Sequence, residues 1–245
     1  MTRYRAILEY DGTEFYGFQR QAAGRTVQAE VETALGRLGW SGGAVWGAGR
    51  TDSGVHAAGQ VVAFDLDWTH GADALQRALN ANLPPDVAAQ AVAETAPDFH
   101  PRYGARGRRY RYTLCNQPGR SPLAARYAWQ VWPRLDQEAM QAAADRLLGR
   151  HDFAVFGSDP DGGDSTTRTV ALARWTRAEG NRLLFDIQAE AFLYRMVRSV
   201  VGALKRVGTG DLSAAGFEAI LASRDRAQCP PLAPPQGLCL MEVIY

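Results

Sequence analysis

The segments Thr169–Arg177 (TVALARWTR) and Arg182–Ala189 (RLLFDIQA), separated by only four residues, decide the fold class of this chain. They read as two strands of one hairpin. A doubly wound parallel sheet places a helix between consecutive strands, and none fits here. An α+β class with antiparallel pairing is therefore expected.

Working outward, residues Arg108–Cys115 alternate strictly, with Tyr110, Tyr112 and Leu114 on one face and Arg109, Arg111 and Thr113 on the other. A strand near Ala128–Trp132 follows, then a helix capped by Asp136 with Met140, Ala143, Leu147 and Leu148 on one side, ended by Gly149. Gly157–Thr167, rich in Gly, Asp, Ser and Thr, reads as a mobile loop before the hairpin. After it comes a helix from about Phe192 to Val207. Its apolar face holds Leu193, Met196, Val197, Val200, Leu204 and Val207, opposite a stripe of Arg195, Arg198, Gly202 and Lys205 that reads as a solvated face or else as a partner for a carboxylate or phosphates. A helix near Ala214–Ala222, a Pro-rich loop and a strand Leu238–Tyr245 complete this half.

Upstream, Tyr4, Ala6, Leu8 and Tyr10 alternate as a first strand. Thr26 caps a helix striped by Val27, Val31, Leu35 and Leu38, and a strand near Gln60–Phe64, a helix near Asp73–Leu83 and a further strand follow. This gives a βαβαβ-like half. The expected division is residues 1–106 and 107–245.

The chain of 245 residues is 46% hydrophobic and 22% charged, which excludes disorder, collagen and coiled coil. No uninterrupted apolar run at the N-terminus fits a signal peptide, and Arg195 and Arg198 break the longest apolar stretch, so no membrane association is expected. Three cysteines without CxxC spacing and four histidines without a ligand pattern point to a cytoplasmic, reduced, metal-free protein.

The net charge of +1 conceals a segregation. Residues 1–106 hold 9 Arg against 12 acids, and residues 107–245 hold 18 Lys/Arg against 14. From Phe99 to Leu135 there is no acid and there are eight arginines, interleaved with Phe99, Tyr103, Tyr110, Tyr112, Tyr127, Trp129 and Trp132. That composition suits phosphates beside unstacked bases, or else a solvated basic face.

The loop Gly47–His56 (GAGRTDSGVH) sets Arg50 and Asp52 among residues with almost no side chain, so a substrate can approach the backbone closely. It matches neither a P-loop nor a dinucleotide fingerprint, and the alternative is a tight turn around Asp52. Asp52 and His56 could supply two metal ligands, with no third in view. Asp65-Leu66-Asp67-Trp68-Thr69 fits the DxDxT pattern of magnesium-dependent phosphatases, but Trp68 holds the usual Gly position.

Taken together, the motifs resemble those of the tRNA pseudouridine synthase A family. The matches are Glu9-Tyr10-Asp11-Gly12 with Tyr16-Gly17-Phe18-Gln19-Arg20-Gln21, then Ala48–Ala57 with Gly59-Gln60-Val61, then Asn80–Pro84, Asp98–Arg102, Arg109–Tyr112, Leu148–Phe153, Arg168-Thr169, Met196–Arg198 and Gly237-Leu238. Ser53 stands where the family usually has Ala, adding a hydroxyl beside Asp52, and Phe18 stands where it usually has Trp.

The resemblance implies a pseudouridine synthase fold: two ferredoxin-like (RRM-like) α+β halves sharing a mixed, largely antiparallel central sheet, in a homodimer that binds tRNA. It implies isomerisation of uridine to pseudouridine at positions 38, 39 and 40 of the anticodon stem-loop, without cofactor or metal. Asp52 would be the nucleophile and Arg198 its ion-pair partner. Tyr110 would pack on the target base and Arg50 would support the flipped nucleotide. Arg102, Arg106, Arg109, Arg111 and Arg168 would contact the RNA. The rival readings are an RNA-binding module without catalysis, which has no use for Asp52, and the phosphatase.

Overall fold

A computed structural model describes residues 1–159, 163 and 165–245. The loop expected between Gly157 and Thr167 therefore lies partly outside the described residues. The protein is α+β, and its chain divides into two units, Met1–Arg106 with Cys239–Tyr245, and Gly107–Leu238.

In the first unit, strand β1 (Thr2–Tyr10) pairs antiparallel with β3 (His56–Leu66) on one side and β4 (Val87–Glu94) on the other. The short β2 (Trp46–Gly47) also pairs with β3. β1 alternates as expected, with Tyr4, Ala6, Leu8 and Tyr10 buried. β3 is buried along nearly its whole length, so its sequence is an apolar run rather than an alternation. Helices α1 (Val27–Gly36) and α2 (Ala72–Asn82) pack together, and α2 lies on β4.

Two local features depart from the sequence reading. Thr26 occupies the N-cap of α1, but its side chain makes no cap bond and its hydroxyl is buried without a partner. Two of the first amides of the helix, those of Val27 and Gln28, instead donate to the carbonyls of Gly17 and Phe18 at 3.3 and 2.9 Å. The last strand, β10 (Leu238–Ile244), pairs in parallel with β3, with Cys239 opposite His56 and Leu240 opposite Ala57. It belongs to the first unit, whereas the sequence reading set it at the end of the second half.

In the second unit the strands β5 (Gly107–Cys115), β9 (Arg182–Ala189), β8 (Thr167–Ala178) and β7 (Gly149–Asp152) run antiparallel in that spatial order, with β6 (Trp129–Gln130) parallel on β5. The β8–β9 pairing is the expected hairpin. Helices α3 (Gln137–Ala144), α4 (Met196–Gly208) and α5 (Ala214–Ser223) pack on one another, with α3 against β8.

Asp136 caps α3 as expected, accepting from the Ala139 amide at 3.0 Å. The helix ends at Ala144, however, and Gly149 opens β7 with φ +90° rather than closing the helix. The helix expected from Phe192 starts only at Met196. The Tyr194 amide donates to the Ser158 carbonyl at 2.8 Å, which draws it out of a helical ladder, and Arg195 enters the helix in the left-handed region at φ +63°.

Candidate active site

Residues 48–55 connect β2 to β3, and their backbone is tied down from several directions. The Ala48 amide donates to Val61 O at 2.8 Å and the Gln60 amide side chain donates to Gly49 O at 2.8 Å. The Phe18 amide donates to Thr51 O at 3.1 Å, and the Gly54 amide to Phe15 O at 3.2 Å. The Val55 amide closes a turn onto Asp52 O at 3.1 Å. Ser53, exposed, sends its hydroxyl to Phe15 O at 3.1 Å, so that oxygen is committed to the backbone of the preceding segment.

The residues that grip this loop come from the 10–18 segment. The Tyr10 hydroxyl and Thr51 Oγ1 share a buried hydrogen bond of 2.8 Å. A side chain at Gly12 would run into the Val55 carbonyl, and one at Gly17, which sits at φ +92°, would meet Thr51 O at 2.7 Å. Only glycine allows both approaches.

His56 is buried at the end of the loop. The Gly12 amide donates to its Nδ1 at 3.0 Å. An amide N–H can only donate, so the ring proton is assigned to Nε2. Asp11 Oδ1 lies 3.2 Å from the same nitrogen but accepts from the Thr13 amide and hydroxyl at 3.0 and 2.6 Å. His56 thus orients the loop. Among the described residues no group of three or more His, Cys, Asp or Glu could hold a metal ion.

Asp52 is half-buried and Arg50 is exposed on this loop. Also in the first unit, Arg106 is exposed, and Arg102 lies with its guanidinium 6.0 Å from the ring of Tyr103, which is 79% exposed. The Tyr103 ring lies tilted against His100 with centroids 4.4 Å apart, and His100 Nδ1 accepts from the Arg102 amide at 3.2 Å. Burial and the charges of Arg102 and Arg3 hold the His100 ring below its ordinary pKa.

The second unit carries the remaining expected residues. Tyr110, 9% exposed, and Phe192 form a T-shaped pair with ring centroids 5.0 Å apart. Its neighbours on the other face of β5 converge on one carboxylate. Arg111 grips Asp186 with Nε and Nη2 at 3.0 Å each, and Arg109 Nη1 lies 4.0 Å away. Arg168 pairs with Asp159 at 3.2 Å and donates to Ser165 O and Thr167 O. The aromatic residues of the basic stretch divide: Tyr112 is in the core, while Tyr103, Tyr127 and Trp132 are exposed.

Arg198 lies on α4, and its Nε donates to Ala233 O at 2.8 Å. The side of α4 that bears it is not simply solvated, because Gly202 is buried against the carbonyl of Pro231. The DxDxT aspartate has a structural occupation: Arg3 holds Asp65 with Nε and Nη2 at 2.7 and 2.8 Å. Sequence reasoning passed over Tyr10, Gly12 and Ala233, and weighed His56 only as a metal ligand, whereas its Nδ1 accepts from the Gly12 amide. Tyr10 and Gly12 stand inside a quoted motif, but the partners they reach lie some forty residues away.

A family model described as tRNA pseudouridine synthase matches residues 6–104 and 143–245. The chain is 46% identical over 246 residues to tRNA pseudouridine synthase A of Methylobacterium nodulans, covering 100% of this chain and 96% of that protein. It is 45% identical over 246 residues to the protein of the same name from Methylobacterium sp. (strain 4-46), covering 100% and 98%. To that of Myxococcus xanthus it is 42% identical over 245 residues, covering 100% and 92%.

Proposed function

The chain belongs to the tRNA pseudouridine synthase family and is an isomerase of that class, and from this premise we propose that it converts uridine to pseudouridine at positions 38, 39 and 40 of the tRNA anticodon stem-loop. The N1–C1′ bond breaks, the base turns, C5 joins C1′ and loses its hydrogen, and N1 takes a proton. Asp52 is the nucleophile, and no cofactor or metal takes part. The enzyme acts in the cytoplasm as a homodimer.

A uridine in a paired stem hides its glycosidic bond, so it must leave the stack at a cost of about a few kcal/mol. Tyr110 offers a π-face for the extruded base, and Arg50, exposed two residues before Asp52, supports the flipped nucleotide. Arg198 pairs with Asp52, which holds the carboxylate in one orientation. Arg102 and Arg106 supply charge for phosphates, with Arg109, Arg111 and Arg168 contributing from around Asp186 and Asp159.

The observation that carries this reading is the interlock of two family signatures distant in sequence. Residues 12–18 clamp the loop of residues 51–56 through glycine contacts and backbone hydrogen bonds, leaving one carboxylate on a rigid mount. A module that only binds RNA has no need of such a mount.

The test is tritium release from tRNA transcripts labelled at uracil C5, with wild type and Asp52→Asn in EDTA. Release by wild type alone supports both the isomerisation and its nucleophile. Binding without release by either protein overturns the catalytic reading in favour of an RNA-binding module, and loss of wild-type release in EDTA overturns the metal-free mechanism.

A further inference from the structure

The loop joining residues 229 to 237 is built almost without hydrogen-bond donors, since Pro230, Pro231, Pro234 and Pro235 leave amides only at Leu232 and Ala233 between them. One of those two is spent on α4: the Ala233 amide donates to Arg198 O at 3.1 Å while Arg198 Nε donates to Ala233 O at 2.8 Å. This reciprocal pair fixes both the backbone and the guanidinium of Arg198 to a single residue of the loop. One helical turn on, Gly202 lets the Pro231 carbonyl approach so closely that any Cβ would collide with it.

The other side of the loop is held by β5. Tyr112, fully buried, donates its hydroxyl to Pro234 O at 2.7 Å. Its ring lies under Gly237, where an added Cβ would come within 2.6 Å of the ring carbons and 2.9 Å of Thr113 O. The loop is thus gripped at Pro234 by Tyr112 and at Pro231 by Gly202. Ala233, which holds Arg198, lies between the two grips.

We propose that Tyr112 is a positioning residue that acts on the reaction through Pro234, Ala233 and Arg198, a proposal that rests on the reading of Arg198 as the partner of Asp52. Removing the Tyr112 hydroxyl leaves the Pro234 carbonyl without its buried donor and frees the loop to shift. The guanidinium shifts with it, while the surfaces that bind tRNA stay in place.

Tyr112→Phe keeps the ring packing and tests the proposal. The expected result is a fall in kcat of about tenfold with KM within about twofold of wild type, the size of loss that a small displacement of a reacting group produces. Gly202→Ala disturbs the same loop from the helix side and gives the same kinetic split, so the test does not depend on one variant folding. In an Arg198→Lys background, which lacks the Nε donor, Tyr112→Phe costs nothing further.

Wild-type kcat in both folded variants, a rise in KM alone, or additive losses in the double variant overturns the proposal. Full kcat in Arg198→Ala instead overturns the reading beneath it. An inactive Arg198→Ala beside an unimpaired Tyr112→Phe overturns only the role of Tyr112.

Discussion

The hydroxyl of Tyr10 lies 2.8 Å from Oγ1 of Thr51 in the buried interior of the first unit, so the end of β1 is bonded to the residue that precedes Asp52. Removing one partner strands the other, whereas replacing both with apolar shapes does not. Tyr10→Phe should cost about 1–3 kcal/mol. The double variant Tyr10→Phe with Thr51→Val should cost less than the two single changes added together. Urea denaturation of the four proteins checks this, and strict additivity would contradict it.

Two glycines should respond oppositely to alanine. Gly12→Ala drives a methyl group into the Val55 carbonyl and should destabilise by about 1–3 kcal/mol. Gly36, exposed at the end of α1, has no atom within 4 Å of an added Cβ, and Gly36→Ala should stabilise by about 0.4–1 kcal/mol. Thermal midpoints of the two variants, one below wild type and one above, are the expected outcome.

The Arg3–Asp65 pair sets a pH dependence of stability. Hydrogen bonding from Arg3 holds the Asp65 carboxyl below its ordinary pKa of 3.8. The unfolded chain therefore takes up this proton first as pH falls. The contribution of the pair is present above about pH 4 and is lost as pH drops through the lower folded value. Asp65 is one-third exposed, so the effect is under about 1 kcal/mol. Asp65→Asn should flatten the stability profile below pH 4 and leave pseudouridine formation at neutral pH intact. Loss of that activity would return the DxDxT reading to consideration.

Affinity for tRNA should fall steeply with salt, because phosphate contacts release counterions. Arg106→Ala, at an exposed arginine, should lower the slope of log K against log salt by about 0.7–0.9. Arg111→Ala removes a side chain already gripping Asp186 and should change the slope less while lowering the thermal midpoint. Filter binding across a salt series separates the two.

Elements governed by local pattern were legible in the sequence. The alternation of β1 and β5, the β8–β9 hairpin, the apolar face of α4 and the Asp136 cap all depend on residues a few positions apart. Features that depend on distant partners were not. Nothing near Phe192 announces that Ser158 will capture the Tyr194 backbone and delay the helix. The stripe bearing Arg198 and Gly202 looks like a solvated face until the Pro-rich loop is seen against it. For the candidate site, residue types and spacing marked Asp52 and its loop. The supports at Tyr10, Gly12 and His56 became visible only when the chain folded back on itself.

The parallel pairing of β10 with β3 at His56 and Ala57 also has a meaning for the order of synthesis. Every other strand of the first unit leaves the ribosome before the second unit is made, yet the stretch of β3 adjoining the Asp52 loop must wait for residues 238–244. Nascent chains that have not reached those residues carry an unpaired strand edge at that position, a template for wrong pairings. The strand that leads out of the Asp52 loop thus gains its β10 neighbour last, and a prematurely terminated product would contain Asp52 without the strand that pairs with His56 and Ala57.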